Sequence, residues 1–365
     1  SLWPKPYAPK VQQWISNKIT HGTLSDLTLD IKGSSDANDL LELDMFESVA
    51  DFKFNDLTAH FFEPSTAIKQ MSGSAHFSDN KLSIKLENGV IDDIHLGGSA
   101  FKIHPGKASA YQADIDLIAN GSVTSLRKIL QDKTIRKTLN INSIPTDLTG
   151  ATTLLAKFSF PLDAANTTKV IPFNASAKIK NANIPNILLG NDFNNGELKI
   201  NVDQGKILIS GTSILNGDTF TFKQEKLFSS HGQNLGTKEF SLTLTPSDLE
   251  KLDLTIPLEL DGMISVTAKI EDLSDGISKI NAVIDLINAQ ASIPQLNWEK
   301  PRGSAGRLHI EADIRNNKLI QMNTINLVAA DLSLDARAYF DKESSRLDEI
   351  IINNLSIGNS KINGI

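Results

Sequence analysis

Leu148-Thr149-Gly150, Ala156-Lys157-Phe158, Asn181-Ala182-Asn183-Ile184-Pro185 and Gly196-Glu197-Leu198-Lys199-Ile200 form an ordered series. The series recurs as Leu260-Asp261-Gly262, Ala268-Lys269-Ile270, Asn288-Ala289 with Ile293-Pro294, and Gly306-Arg307-Leu308-His309-Ile310. The second set follows the first by about 110 residues, with small drifts in spacing, which is the mark of an internal structural repeat. Part of the unit occurs a third time, where Gly73-Ser74-Ala75-His76-Phe77 leads into Asp79-Asn80-Lys81-Leu82 as Gly306 to Ile310 leads into Asn316-Asn317-Lys318-Leu319. Gln204-Gly205-Lys206-Ile207 occupies the same turn in the middle copy. A repeated sheet unit extends a surface instead of closing a pocket, which points to an elongated binding or conduit protein.

Around these signals the chain alternates with period two. Leu82, Ile84 and Leu86 oppose Lys81, Ser83 and Lys85, and Leu198, Ile200 and Val202 oppose Lys199 and Asn201. Phe220 and Phe222, then Phe240, Leu242 and Leu244, then Ile264, Val266, Ala268 and Ile270, then Leu308, Ile310, Ala312 and Ile314 repeat the pattern. This is antiparallel sheet with one wet and one apolar face. Asn88-Gly89, Asn195-Gly196, Asn216-Gly217 and Asp275-Gly276 read as hairpin turns, because both residue types tolerate positive φ.

Helical periodicity is confined to short stretches. Residues 9–20 place Val11, Trp14, Ile15 and Ile19 on one face, with Pro9 at the start and Gly22 as terminator. Val123, Leu126, Ile129 and Leu130 predict a helix near 123–138 capped by Ser122. Thr245-Pro246 with Asp248 predicts a third, short helix. The fold class is therefore all-β, mainly antiparallel: an elongated repeat sheet with two or three short helices, which the resemblance described below implies is twisted and curled into a groove. The expected divisions are a helical segment 1–22 and β units 23–145, 146–257 and 258–365. The helices are too few to cover so many apolar strand faces, so the faces meet a second sheet in a sandwich or solenoid core, or line a groove. Periodicity alone does not separate these.

The 365 residues are 40% hydrophobic but only 6% aromatic, and the apolar set is mainly Leu, Ile, Val and Ala. The formal net charge is −7, from 36 basic and 43 acidic residues with no basic cluster, which argues against nucleic acid as a partner. With no cysteine, disulfide and thiolate chemistry are excluded. No run of about 18 apolar residues is present. The first residues, Ser1-Leu2-Trp3-Pro4-Lys5-Pro6, carry no signal-peptide pattern, and the chain reads as a piece of something longer.

Nucleophile, phosphate-loop and metal motifs fail on inspection. The seven histidines show no H-x-H or H-x-x-x-H spacing. His60 and His76 could meet across strands, Asp114 and Asp116 could share a cation, and Asp272, Asp275 and Gly276 hint at a calcium turn. Each is better read as solvated strand chemistry. Trp3 and Trp14 are expected to anchor the first helix, and Trp298 to pin a turn between strands. No enzyme activity and no cofactor are expected. A polysaccharide-acting β-helix would need aromatic sugar platforms that so few aromatics do not supply.

Trp3-Pro4, Ala8-Pro9-Lys10, Trp14 and Gly22 resemble the segment "W-P…A-P-x-x-x-x-W-[IVL]…G" of the AsmA-like proteins of Gram-negative bacteria, in particular their YhdP-type branch. Phe52 to Ile103, with Gly73, Leu82, Gly89 and Gly98, resembles the sheet domain that follows there. Asp285-Leu286, Asn288-Ala289, Ile293-Pro294, Trp298 and Lys300 resemble a recurrent "D-L…A…I-P…L-x-W-x-K" strand and turn of that family. Residues 221–240 match nothing specific.

The resemblance implies a long β-sheet curled into an apolar groove, similar to TamB and the bridge-like lipid transfer proteins. It also implies a periplasmic segment of a protein anchored in the inner membrane by parts outside this chain, carrying phospholipids between inner and outer membrane and supporting outer-membrane lipid homeostasis. The partners would be phospholipid acyl chains. The expected collective lining is Leu82, Ile84, Leu86, Leu198, Ile200, Val202, Phe220, Phe222, Leu242, Leu244, Ile264, Val266, Leu308 and Ile310. The competing reading is a structural or adhesive β-repeat protein with a closed, dry core.

Overall fold

A computed structural model describes residues 17–35, 43–60, 67–106, 111–132, 147–161, 173–188, 191–203, 205–215, 218–227, 236–250, 258–273, 276–315, 318–341 and 346–364. They form an all-β protein of mainly antiparallel strands with short helices. No described helix is long and apolar enough to cross a membrane. The described residues divide into two compact units. One runs to Lys180 and takes in Val202 and Asp203; the other comprises Asn181–Asn201 and the residues from Gly205 onward.

In the first unit, β1 (Ile19–Ser35), β2 (Leu43–Ala59), β3 (Ile68–Ser78) and β4 (Lys81–Ile91) pair in chain order. β4 continues onto β5 (Ile94–His95) and β6 (Ala100–Pro105). Both of these pair with β7 (Tyr111–Ser122), and β7 pairs with β8 (Thr149–Pro161). The β3–β4 hairpin turns on Asp79 and Asn80, at φ 50° and 59°. Two successive positive φ values suit the twist of a tight hairpin. At the end of β7 the chain enters α1 (Val123–Gln131), where the Ser122 hydroxyl accepts from the Ser125 N–H at 3.1 Å. This is the predicted cap; residues 133–138 of the predicted helix lie outside the described residues.

The second unit takes over along β9 (Phe173–Leu188) and continues with β10 (Asn191–Val202), β11 (Lys206–Leu215), β12 (Asp218–Leu227) and β13 (Gly236–Leu244). β11, β12 and β13 pair in order. Then β13 pairs with β15 (Ile264–Asp272), β15 with β16 (Ile277–Asp285), and β16 with β19 (Gly306–Arg315). β20 (Lys318–Ala329), β21 (Leu332–Phe340), β22 (Leu347–Ile357) and β23 (Ser360–Asn363) complete the order. A separate small sheet joins β14 (Glu259–Gly262), β17 (Ala289–Ile293) and β18 (Trp298–Lys300). A short helix α2 (Pro246–Glu250) starts as predicted, with Thr245 N–H and Oγ1–H both donating to Asp248 Oδ2.

Three local expectations are corrected. Asn88-Gly89 lies inside β4 and Asn195-Gly196 inside β10, so neither is a hairpin turn. Asn195 has φ 50°, but its N–H is held by Asn183 Oδ1 on the neighbouring strand, and the left-handed residue is accommodated within the strand. The first helix ends at Lys18, where β1 begins, and Gly22 sits within β1 at φ 137°. A Cβ at Gly22 would fall 2.0 Å from Leu57 Cδ2, so glycine is there for close strand approach. Residues 9–16, Trp3, Trp14, Asn216-Gly217 and Asp275 lie outside the described residues.

The repeat has a packing explanation. Gly73, Gly196 and Gly306 open β3, β10 and β19 segments in which the residue two places on is buried (Ala75, Leu198, Leu308) and the residue four places on is half-buried (Phe77, Ile200, Ile310). A Cβ on each glycine would strike a large side chain: Phe54 Cζ at 2.9 Å, Phe193 Cε1 at 2.1 Å and Lys300 Cε at 2.6 Å, respectively. The repeated glycine keeps the space for one bulky neighbour at the closed end of the apolar face.

Candidate functional site

The strand register lines up the apolar residues in rows that run across the strands. In the first unit Phe52, Ala75, Ile84, Phe101, Ile115 and Phe158 stand opposite one another in turn. Ala50, Phe77, Leu82, Ile103, Ala113 and Phe160 form the next row. Leu86 belongs to the closed end, opposite Gly73, in a buried cluster with Phe54, Met71, Ile94 and Leu96. Leu126 and Ile129 of α1 pack on that cluster, and Ile84 borders it. Leu82, one row further out, is half-buried. Leu24 and Leu29 on β1 stand opposite Phe54 and Ala50 yet remain 61% and 53% exposed.

In the second unit the same arrangement spans more strands. Leu242, Val266, Ile284, Leu308, Leu327 and Leu334 make one row, and Phe222, Phe240, Ala268, Ala282, Ile310 and Ile325 the next. Along β13 and β15 burial falls from one end to the other, while Ala312, Ala336 and Ala338 stay buried in the outer rows of β19 and β21. Leu244 (4% exposed), Ile264 (2%) and Leu332 (0%) are dry, whereas Val266, Ile284, Ile310 and Ile325 are half-buried. Leu198, Phe220, Phe222, Leu242 and Leu308 are buried, and Ile200 and Val202 half-buried. The proposed lining residues thus fall into two groups, a dry closed end and a partly wetted strip. The Phe193 ring, buried, meets Phe220 and Phe222 edge-to-face with centroids 6.0 and 5.8 Å away.

The dry end is closed by the small sheet. Trp298 is buried and its indole N–H donates to Asp331 Oδ1 at 3.0 Å, the turn-pinning role expected of it. Lys300 is wholly buried, and its ammonium donates to the carbonyls of Leu286 (2.8 Å), Ala289 (2.9 Å) and Pro301 (3.2 Å). Burial pushes its pKa down, with Asp285 opposing. The sequence reasoning named Phe240 in the alternation but left it out of the lining, and passed over Ile284, Leu327 and Leu334, which become visible as one surface only with the register; it also missed Phe193, which is buried like Leu198 although five residues from it, with the left-handed Asn195 between them.

At its other end the face turns polar. Gln224, Lys238 and Ile270 form one row, and Lys226, Gly236, Asp272 and Ser278 the last. Asp272 is engaged by Lys238 Nζ at 2.9 Å and by the Ser278 hydroxyl at 2.8 Å, so it is an ion-pair partner and no part of a calcium turn among the described residues.

The opposite, polar face carries paired charges. His104 Nε2 lies 2.9 Å from Asp114 Oδ2, and Asp114 Oδ1 accepts from the Ser159 hydroxyl at 2.7 Å. Asp116 pairs with Lys157 at 3.0 Å, and His76 with Asp51 at 2.8 Å rather than with His60. No group of three or more metal-ligating side chains occurs among the described residues.

The hydrogen bond to Asp114 raises the His104 pKa, and the Ser159 hydroxyl and then His104 lower that of Asp114. The histidine's contribution is complete below the ordinary imidazole value near 6.5 and is lost as pH rises through its raised value. The aspartate's contribution is present above the ordinary carboxylate value near 3.9 and is lost as pH falls through its lowered value. Thermal unfolding of the wild type and His104→Gln between pH 4 and 9 is therefore expected to show a small gap that is widest between about 4 and 6.5 and closes on the alkaline side. A gap independent of pH would assign His104 a packing role alone.

No protein-family model, curated protein or solved structure matches this chain.

Proposed function

We propose that the apolar face binds lipid acyl chains, and that the chain is a non-enzymatic periplasmic segment of an AsmA-like protein that moves phospholipid between inner and outer membrane. The observation that supports this reading is the half-buried strip: rows of aliphatic side chains that are neither sealed in a core nor interrupted by charge. Contiguous exposed apolar surface is a recognition feature in soluble proteins. Each methylene shielded by such a strip is worth about 0.8 kcal/mol. Aliphatic walls without convergent polar groups hold a chain with no fixed register, so it can slide. The inner-membrane anchor and the periplasmic setting rest on the resemblance of Trp3-Pro4, Trp14 and the Asp285–Lys300 stretch to that family. The dry rows through Ile264 and Leu332 favour, as the second reading, a structural protein with a closed core.

Native mass spectrometry of the purified chain, with organic extraction of whatever co-purifies, separates the two. Phospholipid in stoichiometric amount is expected; a mass that stays apo after incubation with lipid would give the closed core precedence. A charge in the strip should act where a truncation does not. Ile200→Asp is expected to empty the chain of lipid while the far-UV circular dichroism is kept, and to block transfer between donor and acceptor vesicles. Leu308→Ala should cost about 2–4 kcal/mol of stability with occupancy retained. Full lipid occupancy in a folded Ile200→Asp protein would sink the proposal.

A further inference from the structure

We infer that Lys226 and Lys238 form the head-group end of the lipid strip in the second unit, and that this end selects an anionic head group over a neutral one. This rests on the reading that the apolar face holds acyl chains, and adds to it the chemistry of the head.

β12 alternates without a register shift through its pairings with β11 and β13. Lys226 therefore projects to the same face as Phe222 and Phe220, four and six residues away, whereas Lys223 and Glu225 project to the other. Lys226 is half-buried and has no ion pair among the described residues. Across the strands it faces the apolar Ile207 on β11 and, on β13, Gly236, which carries no side chain; beyond Gly236 stands Asp272. That carboxylate is already taken by Lys238 and Ser278. The last two rows thus hold two ammonium groups against one carboxylate, in a chain whose formal net charge is −7.

A lysine on the apolar side of a half-wet sheet is costly for folding alone, since threonine or serine would end the strip as well and need no counter-ion. Its position fits an anion delivered by a ligand. On β12 and β13 the face runs from charge at Lys226 and Lys238, through Gln224 and Phe222, to side chains shut from water at Leu242 and Leu244, while Ile207, Ile209, Ile270 and Ile280 keep the flanks of the same rows apolar; this local profile matches an anionic amphiphile from head to acyl terminus. Strands rise about 3.3 Å per residue, so the nine residues from Ile264 to Asp272 span about 26 Å, enough for a sixteen- or eighteen-carbon chain laid along the strand.

The test uses the whole chain at low ionic strength, where exposed charge is least screened. Binding of myristoyl lysophosphatidylglycerol, neutral monomyristoylglycerol and inorganic phosphate is measured for the wild type, Lys226→Glu and Lys223→Gln. Lysophosphatidylglycerol is expected to bind about tenfold more tightly than the neutral lipid. Lys226→Glu should erase that preference by weakening lysophosphatidylglycerol binding about tenfold. Lys223→Gln, on the opposite face of the same strand, should behave as wild type. Equal affinities for the charged and neutral lipids, with no response to Lys226→Glu, would overturn the head-group assignment while leaving the acyl-chain reading intact. Failure of every lipid to bind would remove that reading, and this inference with it. Inorganic phosphate bound as tightly as the lysolipid would overturn the inference by making this a free-phosphate site.

Discussion

Truncating Phe193 to alanine is expected to lower the stability of the second unit by about 3–5 kcal/mol. The ring is 1% exposed and lies edge-on to both Phe220 and Phe222, which stack on each other with centroids 6.3 Å apart. Each edge-to-face pair adds about 0.5–1.5 kcal/mol beyond area burial. Nothing on the backbone beneath can fill the hole, because Gly196 is there to leave room for the ring: a Cβ at that glycine would stand 2.1 Å from Cε1. Collapse is hindered by the sheet on both sides, so the cavity cost is added to the transfer cost. Urea unfolding monitored through Trp298, which lies in the same unit, reads the change. Phe193→Leu should recover more than half of it. A loss below about 1 kcal/mol for the alanine variant would mean that the aromatic trio is not a packed core.

Replacing Lys300 by alanine should be comparably damaging, at about 3 kcal/mol or more, for a different reason. The ammonium is out of water with no contacting carboxylate, and its cost is offset by three charge-assisted hydrogen bonds to carbonyls that close the Leu286–Ala289 turn and the end of β18. Alanine removes the donor and leaves the stem's volume empty. Lys300→Met keeps the stem, so the difference between the two variants separates packing from hydrogen bonding. Burial pushes this lysine's pKa down, so the unfolded chain holds its proton more firmly than the folded one. Stability from this group therefore rises with pH between the lowered folded value and the ordinary value near 10.4, and the burial cost is fully present below the folded value. The wild type's urea midpoint should therefore rise relative to that of Lys300→Met across that alkaline window. If Lys300→Ala unfolds at the wild-type midpoint, the clamp contributes nothing.

Period-two alternation was enough to place β4, β10, β12, β13, β15 and β19 and to choose which of their faces is apolar. It was not enough to say what that face meets. Rows such as Leu242–Val266–Ile284–Leu308 are made by register between strands, and register is a long-range property that a strand's own pattern does not carry. Asn88-Gly89 and Asn195-Gly196 were misread because the residue types that suit a turn also suit a local irregularity inside a strand. The hairpin at Asp79-Asn80 was legible only through its likeness to the turn after Ile310. Lys300 could not be recognised as buried, since lysine in a strand ordinarily marks the wet face. Its one signal was its place in the Trp298-to-Lys300 pattern. Gln224 and Lys226 break the alternation they belong to, and breaks of that kind mark positions where function or strain can outweigh local rules.

Every pairing in the main sheets joins strands that are close in the chain; the widest skip, β16 to β19, steps over only the small β17–β18 hairpin. A sheet wired this way can grow by duplication. Copying one hairpin inserts two strands whose partners are each other and their immediate neighbours, so no distant contact has to be rewired. Each such insertion would add about 10 Å across the sheet and two more residues to every apolar row. The recurring glycine supplies the closed end of each copy. The drift in spacing between the copies beginning at Gly150 and Gly262 then matches loops altered after duplication, and the length of the apolar strip becomes a quantity that gene duplication sets directly.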